Sequence, residues 1–361
     1  MNLILDNIVF SLQKSGGISV VWYEMLKRVQ KDINFKSCYI EFDDSFQNNF
    51  RKKLNIRKEA IILKRSLWLN IDRYLDQSLL QINDKFVFHS SYYRISSNKN
   101  AINITTVHDF TYEKLEHGLR KWIHCFQKSR AIKKSDVIIC ISENTKQDLL
   151  EYLPKTDVNK IRVIYNGVSE DYFPLDHNLE VDLPFPTKSY TLFVGSRKSH
   201  KQFNLAVDVV SKMGMNFVIV GGDDISNYEL NLLESKVGIN RFQYVGKISN
   251  NELNILYNNA FCLLYPSLYE GFGIPVIEAQ RAGCPVVAFE GSSVKEIAGN
   301  TPLLFKEHTV DNITQYMSIL YDKLTRREII NEGIKNASQF SWDNTYSHLI
   351  SVYEEALNIN K

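Results

Sequence analysis

The sequence predicts an α/β protein made of two doubly wound domains, each with a parallel sheet. Three observations carry this. Short apolar runs alternate with amphipathic helical stretches along the whole chain, the alternation lapses over 169–188 and restarts, and 361 residues exceed one ordinary core. In the first half the apolar runs 3–10, 37–42, 85–89, 102–107, 137–141 and 162–165 are predicted strands. The stretches 19–31, 66–82, 114–134 and 143–152 between them are predicted helices, the last capped by Ser142. Pro174, Pro184 and Pro186 and a loss of periodicity mark 169–188 as a linker. The second half continues with predicted strands 190–195, 216–221, 242–245, 260–265 and 285–288 and helices 203–213, 227–237 and 250–258. Over 341–357, Trp342, Tyr346, Leu349, Val352, Tyr353 and Leu357 recur at helical spacing behind a capping Ser341. The predicted divisions are 1–170, 171–340 and a terminal helical segment 341–361.

Composition narrows the function. A hydrophobic fraction of 44% and a charged fraction of 23% belong to a soluble globular protein. The net charge of +2 hides an asymmetry, with 27 Lys and Arg against 19 Asp and Glu up to residue 170 and the reverse imbalance beyond. A basic half predicts an anionic partner, and no nucleic-acid-binding motif accompanies it. Cys38, Cys125, Cys140, Cys262 and Cys284 form an odd set without a C-x-x-C pair, which predicts free thiols in a reducing, cytoplasmic setting. The chain enters a predicted strand at once, with no signal-peptide pattern, and no apolar run approaches the about 18 residues of a membrane span.

The densest chemistry lies in Ser267-Leu-Tyr-Glu-Gly-Phe-Gly-Ile-Pro-Val-Ile-Glu278, which follows the apolar run 260–265. Gly271 and Gly273 permit a tight turn, Pro275 suits the first turn of a helix and Gly283 its end. Glu270 is thereby placed in the loop at a strand's carboxyl end and Glu278 about one turn into the helix, with backbone N–H groups between them. Amides and a helix dipole suit an anion, and carboxylates suit hydroxyls, so the pattern fits a ligand carrying both phosphate and polyol. Arg197 and Lys201 follow the predicted strand 190–195 and supply cations at the same kind of edge. Gly16 and Gly17, before the first long helix, allow close backbone approach to a phosphate. No D-x-D metal motif is present.

Together these blocks resemble the retaining glycosyltransferases of family 4, with the two-domain GT-B fold. Glu270 and Glu278 match that family's E-x7-E motif. The resemblance extends over Ser15-Gly-Gly-Ile18, Thr106-Val-His-Asp109, Ile139-Cys-Ile-Ser-Glu143, Ile164-Tyr-Asn-Gly-Val168, Phe193-Val-Gly-Ser-Arg-Lys-Ser-His-Lys201, Gly246-Lys-Ile-Ser249, Ser292-Ser-Val-Lys-Glu-Ile-Ala-Gly299 and Phe340-Ser-Trp342. It is similar in particular to bacterial O-antigen and capsule sugar transferases. The resemblance implies metal-independent transfer of a hexose, mannose first, from a nucleoside-diphosphate sugar to a glycan acceptor, with a GDP-sugar as first expectation and a UDP-sugar second. No cofactor beyond this donor substrate is implied. The first domain takes the acceptor, the second the nucleotide sugar, and the terminal helix crosses back to the first. Arg197 and Lys201 are implied to grip the diphosphate, Gly16 and Gly17 to offer amides to it, and Lys247 to lie at the base. Glu278 is implied to bind the ribose hydroxyls. Glu270, with the amides of Phe272, Gly273 and Ile274, contacts the transferred sugar, as does His108, with Asp109 orienting it or touching the acceptor. No protein nucleophile is implied.

Two basic segments, 51–68 and 120–134, mix cations with Trp68, Trp122, Phe126 and Ile132, as helices on anionic lipid do. They predict peripheral attachment to the inner face of the cytoplasmic membrane and a polyprenyl-diphosphate-linked acceptor. Two alternatives stay open: a nucleotide-sugar 2-epimerase of similar fold, which does not need the E-x7-E block, and a non-catalytic sugar-nucleotide-binding protein.

Overall fold

The structure, a computed structural model, describes residues 2–65, 69–176 and 183–358. It separates into two compact units, Met1–Asn166 with Trp342–Lys361, and Gly167–Ser341. The first contains β1 (Asn2–Asp6), α1 (Val9–Leu12), α2 (Gly17–Val29), β2 (Lys36–Phe42), β3 (Ile61–Lys64), α3 (Leu69–Asp72) and β4 (Phe86–Ser90). It continues with β5 (Ala101–Val107), α4 (Thr111–Leu115), α5 (Leu119–Lys134), β6 (Val137–Cys140), α6 (Glu143–Tyr152) and β7 (Ile161–Val163). The second contains β8 (Tyr190–Val194), α7 (Phe203–Met213), β9 (Asn216–Val220), α8 (Asn227–Lys236), β10 (Phe242–Gly246), α9 (Asn250–Asn259) and β11 (Cys262–Tyr265). After these come α10 (Ile274–Arg281), β12 (Val286–Phe289), α11 (Val294–Ile297), β13 (Leu304–Phe305), α12 (Val310–Ser318) and α13 (Lys323–Ala337). The last helix, α14 (Trp342–Leu357), belongs to the first unit.

All strand pairs are parallel. The sheet orders are β3-β2-β1-β4-β5-β6-β7 and β10-β9-β8-β11-β12-β13. In each sheet the winding direction reverses at the first strand, between β1 and β4 and between β8 and β11, where open α/β sheets bind ligands at the carboxyl edge. Parallel strands buried on both faces need near-continuous apolar sequence, and Phe86, Val87 and Phe88 of β4 and Cys262, Leu263 and Leu264 of β11 supply it. The first core joins Leu3, Leu5, Trp22, Leu26, Val87 and Ile104 to Leu349, Val352, Tyr353 and Ala356 of α14. The second centres on Phe193, Phe203, Val207, Phe217, Ile219 and Leu264.

The boundary falls after Asn166 rather than at 170, because Val168 bridges Ser341 and donates its N–H to the Phe340 carbonyl at 3.4 Å. Other differences have local causes. The predicted strand 3–10 ends at Asp6; beyond it the Val9 amide donates to Ser91 Oγ at 2.9 Å and Val9–Leu12 turn into a helix. Within the basic stretch 51–68, Ile61–Lys64 form an edge strand on β2, which charge had masked in the pattern. Of the predicted helix 66–82, its start and Trp68 lie outside the described residues, and α3 is its only helical part among those described. Asn98 Nδ2 donates to the carbonyls of Leu79 and Ile82 at 2.7 and 2.9 Å, and Leu79, itself buried, sits at φ 46°, so the chain there is a turn tied down by a side chain. The predicted helix 114–134 breaks at Gly118, whose φ of 81° suits only a residue without a Cβ, and α5 starts afresh. Within the predicted linker, 177–182 lie outside the described residues, whereas Tyr172 is 2% exposed and part of the second unit's interior.

Candidate functional site

The second unit places its chemistry at the reversal point. Lys201 ends a 3-10 turn, Ser199–Lys201, in the loop after β8, and Glu270 lies in the loop after β11. The Leu268 amide donates to the His200 carbonyl at 2.8 Å and stitches the two loops together. Lys201 Nζ pairs with Glu270 Oε1 and lies 3.5 Å from the Tyr265 hydroxyl, with both charged side chains largely covered. The Glu270 backbone is fixed from both sides: its N–H donates to Ser292 Oγ at 2.9 Å, and its carbonyl accepts from Ser293 Oγ at 3.0 Å. Ser292 adopts φ 49°, a strained conformation for a residue with a side chain, which turns its hydroxyl onto Glu270. Tyr265 ends β11 within reach of both glutamates; burial, then the charges of Glu270 and Glu278, push its hydroxyl well above the ordinary tyrosine range.

Gly273 caps α10 at φ 93°, a left-handed conformation that lets the loop reverse straight into the helix. Ile274 and Pro275 form the first turn, and no side chain caps this amino end. Phe272 is buried edge-on against Phe340 at 5.9 Å and anchors the turn beneath. Glu278, one turn on, accepts from the Tyr257 hydroxyl at 3.2 Å. Burial raises its pKa to about 7, against the opposing hydrogen bonds from Tyr257 and Tyr172. The rings of Tyr172 and Tyr257 meet edge to face at 5.8 Å, so this carboxylate sits in a tyrosine-lined niche. Lys247 is exposed, just past the carboxyl end of β10, following Gly246 at φ 64°.

Arg197 is placed differently from the expectation. Its Nε pairs with Glu229 at 2.7 Å, Nη1 donates to the Gly221 carbonyl at 3.1 Å, and Nη2 donates to the carbonyls of Asp223 and Asp224. The guanidinium also lies 5.2 Å from the Tyr244 ring centre. These partners bind the loop after β9 to the start of α8, and a contact with diphosphate would require Arg197 to leave them. The structure therefore brings together Lys201, Glu270, Tyr265 and the amino end of α10, and commits Arg197 elsewhere.

In the first unit, Gly16 and Gly17 open α2, which has no side-chain cap. The Gln13 side chain folds over Gly16, where a Cβ would meet its Oε1 at 2.5 Å, whereas Gly17 has nothing within 4 Å. Ser19 Oγ accepts from Gln13 Nε2 at 2.9 Å and from Asn48 Nδ2 at 3.1 Å, so three polar side chains shape this loop. His108 follows β5 and lines a small cavity of about 50 Å³ with Trp22, His89, Asn166 and Trp342. Burial, aided by the Lys128 charge, lowers the His108 pKa to about 4, so the ring is neutral at pH 7. His89, behind it, bonds the Tyr353 hydroxyl at 2.7 Å and Thr106 Oγ1 at 2.9 Å, and burial holds it at about 3. Asp109 accepts the Thr111 amide at 2.9 Å through Oδ1 and Lys128 Nζ at 2.9 Å through its carbonyl, so it fixes the entry to α4.

Sequence reasoning missed Tyr172, Tyr257, Tyr265, Ser292 and Ser293. The serines were visible only as part of a matching block, and the tyrosines come from a linker, a helix and a strand end that fold together. Among the described residues no cluster of His, Cys, Asp or Glu could hold a metal ion, and no helix is long and apolar enough to cross a membrane.

The chain matches two families over almost all its length: one described as Glycosyltransferase Family 4, over residues 15–172, and one described as Glycosyl transferases group 1, over 178–336. It is 26% identical over 271 residues to O-antigen chain mannosyltransferase B of Escherichia coli, covering 70% of each chain. Among solved structures, sucrose-phosphate synthase from Thermosynechococcus elongatus superposes with a TM-score of 0.74 at 15% identity, covering 98% of each chain. The Anabaena protein HepE, in complex with UDP-glucose, gives 0.71 at 13% identity, covering 98% of this chain and 100% of that one. These likenesses establish the GT-B architecture of two Rossmann-like units.

Proposed function

The chain belongs to glycosyltransferase family 4, and from that we propose that it transfers a hexosyl group, mannosyl in the first instance, from a nucleoside-diphosphate sugar to a glycan acceptor, with retention of anomeric configuration. The observation that carries this is the Lys201–Glu270 pair at the reversal point of the second sheet, with the amino end of α10 and Glu278 directly after it. Lys201 and the uncapped α10 end provide a positive field where a departing diphosphate gathers charge. On donor binding Lys201 turns from Glu270 to the diphosphate, and Glu270 accepts from the hydroxyls of the sugar. Glu278 accepts from the ribose hydroxyls, and Lys247 lies beside the base. Gly16 and Gly17 contribute through the open amino end of α2. His108 acts as a neutral hydrogen-bonding ring, with His89 fixing its setting. The likeness to an O-antigen mannosyltransferase favours a mannosyl donor, and hence a GDP-sugar; the UDP-glucose bound to HepE keeps UDP-sugars second. The acceptor we favour is a glycan on a polyprenyl diphosphate, met at the inner face of the cytoplasmic membrane.

A thermal-shift screen against GDP, UDP and their sugars tests the donor, since a ligand that binds only the folded state raises its melting temperature in step with affinity. Product analysis with the best donor then reads the linkage. Glu270→Ala is expected to abolish transfer while keeping the wild-type fold; near-normal turnover in this variant would remove Glu270 from the site, and no shift with any nucleotide would sink the donor assignment.

A further inference from the structure

Charge and aromatic residues in 120–134 do not all face outward. Lys128 is 1% exposed, pairs with Glu113 at 2.6 Å and lies over the Phe110 ring; Ile132 is equally buried. In the other basic segment Arg51 is buried on Glu41 at 2.6 Å. The apolar side chains that α5 exposes form a single line: Leu119, Trp122, Ile123 and Phe126, at i, i+3, i+4 and i+7, with Trp122 75% and Phe126 70% exposed. The stretch after α3 lies against this helix, through Gln127 Nε2 to the Arg73 carbonyl at 2.6 Å and an Arg130–Asp76 ion pair; it adds exposed Tyr74 and Leu75, and α3 itself adds Ile71. Seven residues beyond Phe126, on the same face, Lys133 opens a groove of about 320 Å³ lined also by Lys155 and Lys160. Lys160 donates to the Ser135 carbonyl at 3.2 Å, and none of the three lysines enters an ion pair among the described residues.

We propose that α5 lies in the plane of an anionic bilayer, with Leu119, Trp122, Ile123 and Phe126 inserted among the acyl chains and Lys133, Lys155 and Lys160 holding lipid phosphate. An exposed apolar line with cations outside any ion pair further along the same helix is the pattern of interfacial helices, and neither half alone holds a protein firmly on a bilayer. A soluble protein partner would cover the apolar line but leaves three unpaired lysines around an apolar-floored groove unexplained. The buried side of the same helix carries Lys128, which holds the Asp109 carbonyl and Glu113, so the docking element also supports the segment that bears His108. This rests on the reading of the acceptor as lipid-linked, and sharpens it by naming the contact face.

The test is flotation of the full chain with vesicles of phosphatidylcholine alone and with a third phosphatidylglycerol. Wild type is expected to float with the anionic vesicles and not with the neutral ones. The doubles Trp122→Ser/Phe126→Ser and Lys133→Glu/Lys155→Glu are each expected to lose at least tenfold in partitioning. Far-UV circular dichroism and the nucleotide thermal shift, both expected unchanged, show that the variants are folded and the second unit intact. No flotation of wild type, or undiminished flotation of either folded double, overturns the docking face while a preserved nucleotide shift leaves the transferase reading standing. A dimer in lipid-free light scattering that the Trp122/Phe126 double dissolves would assign the face to a second copy instead and equally overturn the proposal.

Discussion

Nucleotide-sugar binding is expected to take a proton from Glu278. In the ligand-free protein, burial holds this carboxyl at a pKa of about 7, so at neutral pH it is about half ionised. Ribose hydroxyls donate to a carboxylate, and a ligand that does so favours the charged form and returns the pKa toward the ordinary carboxylate range. The sign follows: affinity rises as pH rises through 7 and saturates above it. With the bound-state pKa well below 6, the dissociation constant scales as one plus the ratio of protonated to ionised free protein. That gives about a tenfold weaker affinity at pH 6 than at pH 8, and release of about half a proton per nucleotide at pH 7. Titration calorimetry in two buffers of different ionisation enthalpy measures both quantities. The ligand should be a nucleoside-diphosphate sugar, whose diester phosphates do not titrate in this window. Glu278→Gln keeps the shape, loses the linkage and should bind with a flat pH profile. A flat wild-type profile, or an equal slope in Glu278→Gln, refutes the reasoning, because the proton would then come from another group.

Two further outcomes separate structural from ligand-facing charges. Lys201→Ala should weaken nucleotide binding by about 10- to 100-fold, because it removes a charge-assisted contact, and should lower the melting temperature as well, because it strands the covered Glu270. Arg197→Ala should destabilise the fold, by on the order of 1–3 kcal/mol, since it strands Glu229 and three carbonyls; thermal melts of both variants reverse the assignment if Arg197→Ala melts normally and binds weakly. In the first unit, burial holds His89 at about 3 in the folded chain against 6.5 for a free histidine, so the unfolded state takes up protons first on acidification. Melting temperature should therefore fall as pH drops from about 6.5 to 4, and less steeply in His89→Gln; parallel curves would show that other groups, His108 among them, dominate.

Most strands of both sheets were legible because buried parallel strands leave unbroken apolar runs, and their alternation with helices announced parallel pairing; the edge strands Ile61–Lys64 and Leu304–Phe305 and the spatial order of the strands were not legible. Less was legible where side chains replace secondary structure. Asn98 holding the carbonyls of Leu79 and Ile82 has no periodic signature, and Ile61–Lys64 hides inside a basic stretch whose outward residues obscure an edge strand. In the site, Glu270 and Glu278 could be placed from glycine and proline grammar alone, since Gly273 at φ 93° and Pro275 fix the turn locally. The position of Arg197 could not. Its partners come from the loop after β9 and from Glu229, which also completes the capping box of Ser226, and no local pattern announces that a cation near a strand end is already engaged.

The return of α14 to the first unit has a consequence for biosynthesis. The unit whose strands are made before the second unit lacks Leu349, Val352, Tyr353 and Ala356 until residues 342–357 follow that second unit. The second unit, Gly167–Ser341, is continuous in sequence and can close its own core while that helix is still being synthesised. The first unit is thus completed only after the second, and loss of α14 leaves its apolar core open to aggregation.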